Sequence, residues 1–325
     1  MDNTVDLTVS SAPHVKSKET TSNIMYQVVL ALVPAMLAAV YYFDMSAALL
    51  IVTCSIVAML SEVAIQKIRG LEVTVNDGSA LLTGILLALT LPPELPLWMA
   101  TLGSVVAIVL GKHVFGGLGY NIFNPALVGR AFITLSYVGP MTQWTDPLQP
   151  PVAISGIVSG LQESLGIVDT VSGATPLEAG SAEIMNLFVG RTGGSLGETS
   201  ALAIMLGGLY LLYKGYIDWR IPAGYLGTVA VLTSFVGEQG PLFHLFAGGL
   251  MLGAIFMATD MVTSPVTKKG RLIFGIGCGL LTVIIRVYGN FPEGVLYSIL
   301  LMNMCVPIID QYTLPRIYGE VKANG

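Results

Sequence analysis

The chain is poor in charge. Asp, Glu, Lys and Arg make up 11% of its 325 residues, against about 25% in a soluble domain. Hydrophobic residues make up 54%, and mean hydropathy is +0.75. That balance excludes an ordinary soluble domain and indicates an all-α integral membrane protein. The net charge of -5 is modest and suggests no nucleic-acid role. Cysteine is scarce as well. Cys54, Cys278 and Cys305 stand singly in apolar runs, with no Cys-x-x-Cys pair. An iron–sulfur or zinc site made by this chain alone is therefore not expected, and the three thiols read as small packing residues. His14, His113 and His244 show no metal-ligand spacing. No cleavable signal peptide is apparent: residues 1–23 are polar, and the apolar run after them is long enough to span a bilayer.

What is present is a series of apolar runs, about 24–43, 47–66, 79–92, 95–113, 122–139, 200–217, 222–238, 243–259, 271–288 and 293–311. They predict about ten transmembrane helices. The chain divides into a polar arm (1–23), a five-helix half (24–139), a Gly- and Ser-rich loop (140–199), a second five-helix half (200–311) and a tail (312–325). The third run is short. At 1.5 Å per residue it covers roughly 20 Å of a ~30 Å hydrocarbon core, and Pro92-Pro93 ends it. It reads as an interrupted helix. The eighth run, ending Ala258-Thr259-Asp260 with Pro265 soon after, reads the same way. Interrupted helices at matching positions of two inverted halves mark a central binding site in transporters, so two inverted five-helix repeats are expected. Trp98, Trp144 and Trp219 stand near predicted helix ends, as interface aromatics do.

Basic residues orient the helices. Lys16 and Lys18, Lys67 and Arg69, Lys112, Lys214 and Arg220, Lys268, Lys269 and Arg271, and Arg316 and Lys322 all fall on one side of a ten-span chain. The positive-inside rule makes that side the cytoplasm. Asp44, Glu94, Glu238 and Glu293 fall on the other. Both termini are then cytoplasmic, and the loop at 140–199 faces outward.

That loop holds Asp169-Thr170-Val171-Ser172-Gly173-Ala174-Thr175-Pro176-Leu177. Gly173 and Ala174 leave little bulk around the Thr175 hydroxyl, which is expected on an exposed loop. Pro176 is expected to keep the segment out of a helix. An ordinary Gly-Pro surface turn would have a similar composition. The pattern Asp-x-x-Ser-Gly-Ala-Thr nevertheless resembles the flavinylation signal of the NqrB/RnfD family of membrane redox pumps. The resemblance extends to Asn76-Asp77-Gly78-Ser79, to Gly116-Gly117-Leu118-Gly119-Tyr120-Asn121-Ile122-Phe123-Asn124-Pro125-Ala126 and to Met257-Ala258-Thr259-Asp260. It continues through Pro292-Glu293-Gly294-Val295 and Pro307-Ile308-Ile309-Asp310, so it covers nearly the whole chain. NqrB carries a longer N-terminal extension, which favours the RnfD branch.

The resemblance implies FMN joined to Thr175 through a phosphoester, with Asp169, Ser172, Gly173 and Ala174 as the rest of the signal. It implies a flavin transferase for maturation, with Asp169 a candidate to help bind metal and diphosphate. It also implies a second, non-covalent flavin, riboflavin. Asn121 and Asn124 are the candidate site, because amides both donate and accept; Gly116, Gly117 and Gly119 would let backbone approach the ring. The plainer reading of that turn is a helix start capped by Asn121, with Pro125 in the first turn. Iron–sulfur, NADH-binding and further membrane subunits are implied as partners in a bacterial or archaeal cell membrane, alongside lipid. The implied activity is ion-pumping (Na+ or H+) ferredoxin:NAD+ oxidoreduction.

Ionisable residues near or within spans are expensive and usually face a partner or a water path. Asp77 and Asp260 abut the two interrupted helices, are assigned to opposite sides of the membrane, and are candidates for the ion route; helix capping is the plainer role. Arg130 and Asp310 also lie near or inside spans. Arg286 stands near the outer end of the ninth run, as a partner for the FMN phosphate or for Glu293. Glu62 and Lys67 are expected to form a solvated face. Two other functions fit parts of this pattern: a subunit of NqrB type in a sodium-pumping quinone reductase, and a secondary transporter or channel without a cofactor.

Overall fold

The computed structural model describes residues 19–144, 147, 175–179, 183–190, 192–236, 239–289 and 294–315. The described residues form helices and connecting turns, with no β-sheet. Helix α1 (Thr21–Ile68) contains one non-helical residue, Asp44, at φ 56° and ψ -141°. A straight helix of 48 residues would be about 72 Å long. Yet Tyr26 Oη donates to the Asn76 carbonyl at 3.3 Å, while Gln66 Nε2 donates to Thr74 Oγ1 at 2.9 Å. Both ends of α1 therefore meet the same turn, and the chain doubles back at Asp44. The two arms match the first two apolar runs.

Helix α2 (Ser79–Leu89) stops three residues before Pro92, as the third run's length predicts. It is followed by α3 (Leu97–Ile108), which continues as a π-turn over Val109–His113. Asn124 then caps α4 (Pro125–Ser136), its Oδ1 accepting from Ala126 N at 3.0 Å. The cap is Asn124, not Asn121, because Pro125 takes the first helical position. Short helices α5 (Val138–Met141), α6 (Pro176–Ala179) and α7 (Ile184–Val189) lie in the polar stretch. Pro176 thus starts a helix rather than excluding one, since a first-turn proline gives up no intrahelical bond.

Helices α8 (Ala201–Lys214) and α9 (Arg220–Val236) precede the eighth run. That run is broken in its middle: α10 (Pro241–Phe246) ends at Ala247, and α11 (Leu250–Leu252) restarts after Gly249 and runs into a π-turn at Gly253–Met257. Helices α12 (Lys268–Tyr288) and α13 (Val295–Thr313) complete the bundle.

Among the described residues, α1, α12 and α13 are long and apolar enough to cross a membrane, and five shorter apolar helices accompany them. Large side chains such as Leu37, Leu60 and Phe235 project outward, 63–84% exposed. Such a surface suits lipid, not water. Inside, small residues let helices close up. A Cβ on Gly84 would stand 2.7 Å from the Cys54 carbonyl, so α2 lies directly against the second arm of α1. Cys54 and Cys278 are buried, as packing residues should be, but Cys305 is exposed. Trp144 is also buried rather than interfacial, whereas Trp98 and Trp219 are more than half exposed.

Candidate functional site

Two sites draw on the residues that the sequence singles out. The first is a partly open cleft, about 760 Å³ when the solvent-open space at its mouth is counted. Ser79, Lys112, Asn121, Asn124, Tyr216 and Asp260 are among its lining residues. The turn at 116–124 brings Asn121 and Asn124 into it. Asn121 Nδ2 donates to the Phe123 carbonyl at 3.2 Å. The Asn124 amide is committed on both sides, since Oδ1 caps α4 and Nδ2 donates to the Met257 carbonyl at 3.3 Å. Asn124 thereby ties α4 to the end of the eighth run, and Asn121 is the better placed of the two for a ligand.

Asp77 and Asp260 lie at the same end of the bundle, which corrects the assignment to opposite sides. Asp77 precedes α2, whereas Asp260 follows the last turn of the eighth run. The two interrupted segments are antiparallel, so the start of one meets the end of the other. Both carboxylates accept local hydrogen bonds. Asp77 Oδ1 takes Ser79 N at 2.8 Å and Ser79 Oγ at 2.5 Å. Asp260 Oδ2 takes Thr263 Oγ1 at 3.0 Å. Burial raises the Asp260 carboxyl above its ordinary range, with the Thr263 and Val262 bonds working against that. These are the capping contacts that the plainer reading expects. Asp310 likewise accepts from Val266 N, at 3.1 Å.

Behind the cleft lies an ion pair that sequence reasoning missed. Glu62 is 1% exposed, not solvated, and Lys112 is 2% exposed. Lys112 Nζ donates to Glu62 Oε1 at 2.5 Å and to Ser79 Oγ at 2.6 Å. Through Ser79 the pair connects to Asp77. His113 Nε2 stands 3.5 Å from Glu62 Oε1. A carboxylate within the second apolar run was the available signal, because a charge at that depth requires a partner. Lys67, by contrast, is exposed as expected.

The second site is the break in the eighth run. Arg286 of α12 holds its loose carbonyls: Nη1 donates to His244 O at 2.7 Å and Nη2 to Ala247 O at 3.1 Å. Gly248 has φ 73°, a left-handed conformation suited to glycine. A Cβ there would meet Leu177 Cδ1 at 2.7 Å and Arg286 Nη2 at 3.2 Å. The Thr175–Pro176–Leu177 segment is thus docked onto this break. Thr175 is 4% exposed, not on an open surface, and Leu177, two residues on, packs beside Leu187, Phe243 and Ala247. Asp169, Ser172, Gly173, Ala174 and Glu293 lie outside the described residues. Arg130 in α4 is buried, and its Nη1 would stand 3.9 Å from a Cβ on Gly249 in the same break, with the buried Glu198 Oε1 nearer, at 3.2 Å. Among the described residues no group of three or more His, Cys, Asp or Glu could hold a metal ion.

The model of the NQR2, RnfD, RnfE family matches residues 8–319. The chain belongs to this family. It is 47% identical to the D subunit of the Na(+)-translocating ferredoxin:NAD(+) oxidoreductase complex of Acetobacterium woodii, over 98% of each chain. It is 45% identical to the D subunit of the proton-translocating ferredoxin:NAD(+) oxidoreductase complex of Clostridium ljungdahlii, over 96% of each. It is 43% identical to the D subunit of the ion-translocating oxidoreductase complex of Stutzerimonas stutzeri, over 93% of each. These D subunits are the RnfD branch that the sequence favours. Family and apolar helices together make the chain a multi-pass membrane protein.

Proposed function

We propose that this chain is the electron-relaying membrane subunit of an ion-translocating ferredoxin:NAD+ oxidoreductase, carrying FMN on Thr175. The observation that carries the reading is the placement of Thr175. The last residue of an Asp-x-x-Ser-Gly-Ala-Thr motif is buried, and Leu177, two residues on, meets Gly248 beside the half-buried Arg286 at the break of a helix. A phosphodiester on Thr175 would be an anion in a poorly solvated place, which requires a neighbouring cation. Arg286, whose guanidinium shares the Gly248 notch with Leu177, is suited to that role. FMN would supply one-electron acceptance and donation. The protein's part is to hold the phosphate, limit water around it and fix the segment on the bundle.

The cleft is the proposed riboflavin site. Asn121 would offer an amide to a ring edge, and the Lys112 ammonium lies in the cleft wall. Asp77 and Asp260, one behind and one within the same cleft wall, remain the proposed ion-route residues, now on a single side. The two relatives named for different ions differ by only two points of identity from this chain, so the proposal is Na+ or H+. Ten crossings in two inverted halves, cytoplasmic termini and an outward Thr175 complete the reading. The charge distribution and the doubling back of α1 support it. Other subunits of the complex and a flavin transferase are the proposed partners.

The test is made in inverted membrane vesicles with the assembled complex. Thr175→Ala is expected to abolish ferredoxin-dependent NAD+ reduction and the coupled ion uptake while the subunits still copurify. Undiminished electron flow in that variant refutes the relay. Asp77→Asn and Asp260→Asn are expected to lower ion uptake per electron. An unchanged ratio removes both from the route. A cofactor-free transporter, the remaining alternative, would purify colourless.

A further inference from the structure

We propose that the Gly248 notch is a latch for the Thr175 segment, and that Thr175 is modified only while Leu177 is out of it. This inference rests on the reading of Thr175 as the flavin acceptor. The latch is made of unlike parts. Gly248 supplies a left-handed turn without a side chain, and Leu177 Cδ1 fills the space that a Cβ would take. Leu187, Phe243, Ala247 and Phe246 form the apolar wall. Arg286 bonds to the carbonyls of His244 and Ala247, which keeps the break open in this shape.

Thr175 lies two residues upstream of Leu177 and is 4% exposed. Flavin transfer requires Thr175 Oγ1 to attack the flavin-side phosphorus of a flavin dinucleotide held by an enzyme. The new O–P bond forms as the P–O bond to AMP breaks. AMP leaves with the electron pair, and the hydroxyl proton passes to a base of the transferase. An enzyme site must surround Oγ1 for that displacement, and the docked segment leaves no room. Modification and docking therefore exclude each other at the moment of transfer.

The full-length unmodified chain, purified in detergent from a host without the transferase, is the substrate for the test. Transferase, flavin dinucleotide and Mg2+ are added, and labelling is followed by in-gel fluorescence after denaturation and by intact mass. Gly248→Ala fills the notch and Phe246→Ala removes part of its wall. Both are assayed under conditions in which Cys54 and Cys278, buried in the native fold, stay protected from a thiol reagent. When opening is fast, modification tracks the open fraction. Each variant is expected to be labelled about ten-fold faster than wild type, equivalent to about 1.4 kcal/mol of latch stability. Equal initial rates in all three forms overturn the latch. If none is labelled while a control substrate is, the FMN reading fails instead.

Discussion

At the scale of single residues, the buried Lys112–Glu62 pair carries the clearest consequence. Removing one member of a buried pair leaves an uncompensated charge, at a cost of about 3–5 kcal/mol, whereas replacing both by apolar groups of similar volume is often neutral. Lys112→Met and Glu62→Leu are each expected to lower the thermal midpoint in detergent sharply, with the double variant recovering most of the loss. If the losses simply add, the two do not act as a pair. Two carboxylates outside the spans give opposite pH signatures. Burial pushes Asp218 up, but the Arg220 N–H and the Arg271 and Arg220 side chains outweigh it, so its carboxyl is held below the ordinary range. Its stabilisation is present above the unfolded value of about 4 and is lost as pH falls through the folded one. Asp260 is raised, so its contribution is complete below about 4 and lost as pH rises through its folded value. Asp218→Asn should flatten the loss of thermal stability on acidification, and Asp260→Asn should leave stability at pH 7 unchanged or higher. The reverse pattern in unfolding curves contradicts these environments. Glu62 shows why such contacts escape a reading of sequence. Its partner lies 50 residues away, while Lys67, five residues on, offers a nearer and false one.

At the scale of elements, close approach decides the packing. Gly84→Leu would drive a side chain into the Cys54 carbonyl, and overpacking of that kind costs about 1–3 kcal/mol. Asp44 is the one described non-glycine residue at positive φ, so Asp44→Gly should relieve strain of about 1 kcal/mol or slightly more and raise the thermal midpoint. A lower midpoint would mean that the Asp44 side chain stabilises the turn by more than its backbone costs. The short third helix was legible, because Pro92-Pro93 ends it and its length falls short of a bilayer. The break in the eighth run was placed too late, at Asp260. Gly248 within an apolar run reads as one more helix-packing glycine, and only its left-handed backbone shows that the helix stops there. The N-cap was read one polar residue too early, since Asn121 and Asn124 flank the same turn and only hydrogen bonds separate them. Thr175 was found by its motif, but the motif could not show that Thr175 is buried or that Leu177 meets a helix some seventy residues later in the chain.

At the scale of the whole molecule, an apolar exterior surrounds a bundle whose described charged groups are mostly paired, capping or at its ends. The proposed orientation sets basic connections on one face and acidic ones on the other. Glu94→Cys and Lys214→Cys should therefore react with a membrane-impermeant thiol reagent from opposite sides of intact cells and inverted vesicles. Labelling of both from one side breaks the ten-span arrangement. The family and the all-helical membrane character were legible because composition and motifs extend over the whole chain. The central claim concerns one bond, between Thr175 and a flavin phosphate. The direct measurement is ultraviolet fluorescence of the denatured chain on a gel, after coexpression with a flavin transferase, beside Thr175→Ala. A fluorescent wild-type band that is lost in the variant is the predicted result. A dark wild-type band, with the transferase active on a control substrate, contradicts the claim and leaves a cofactor-free transporter as the better account.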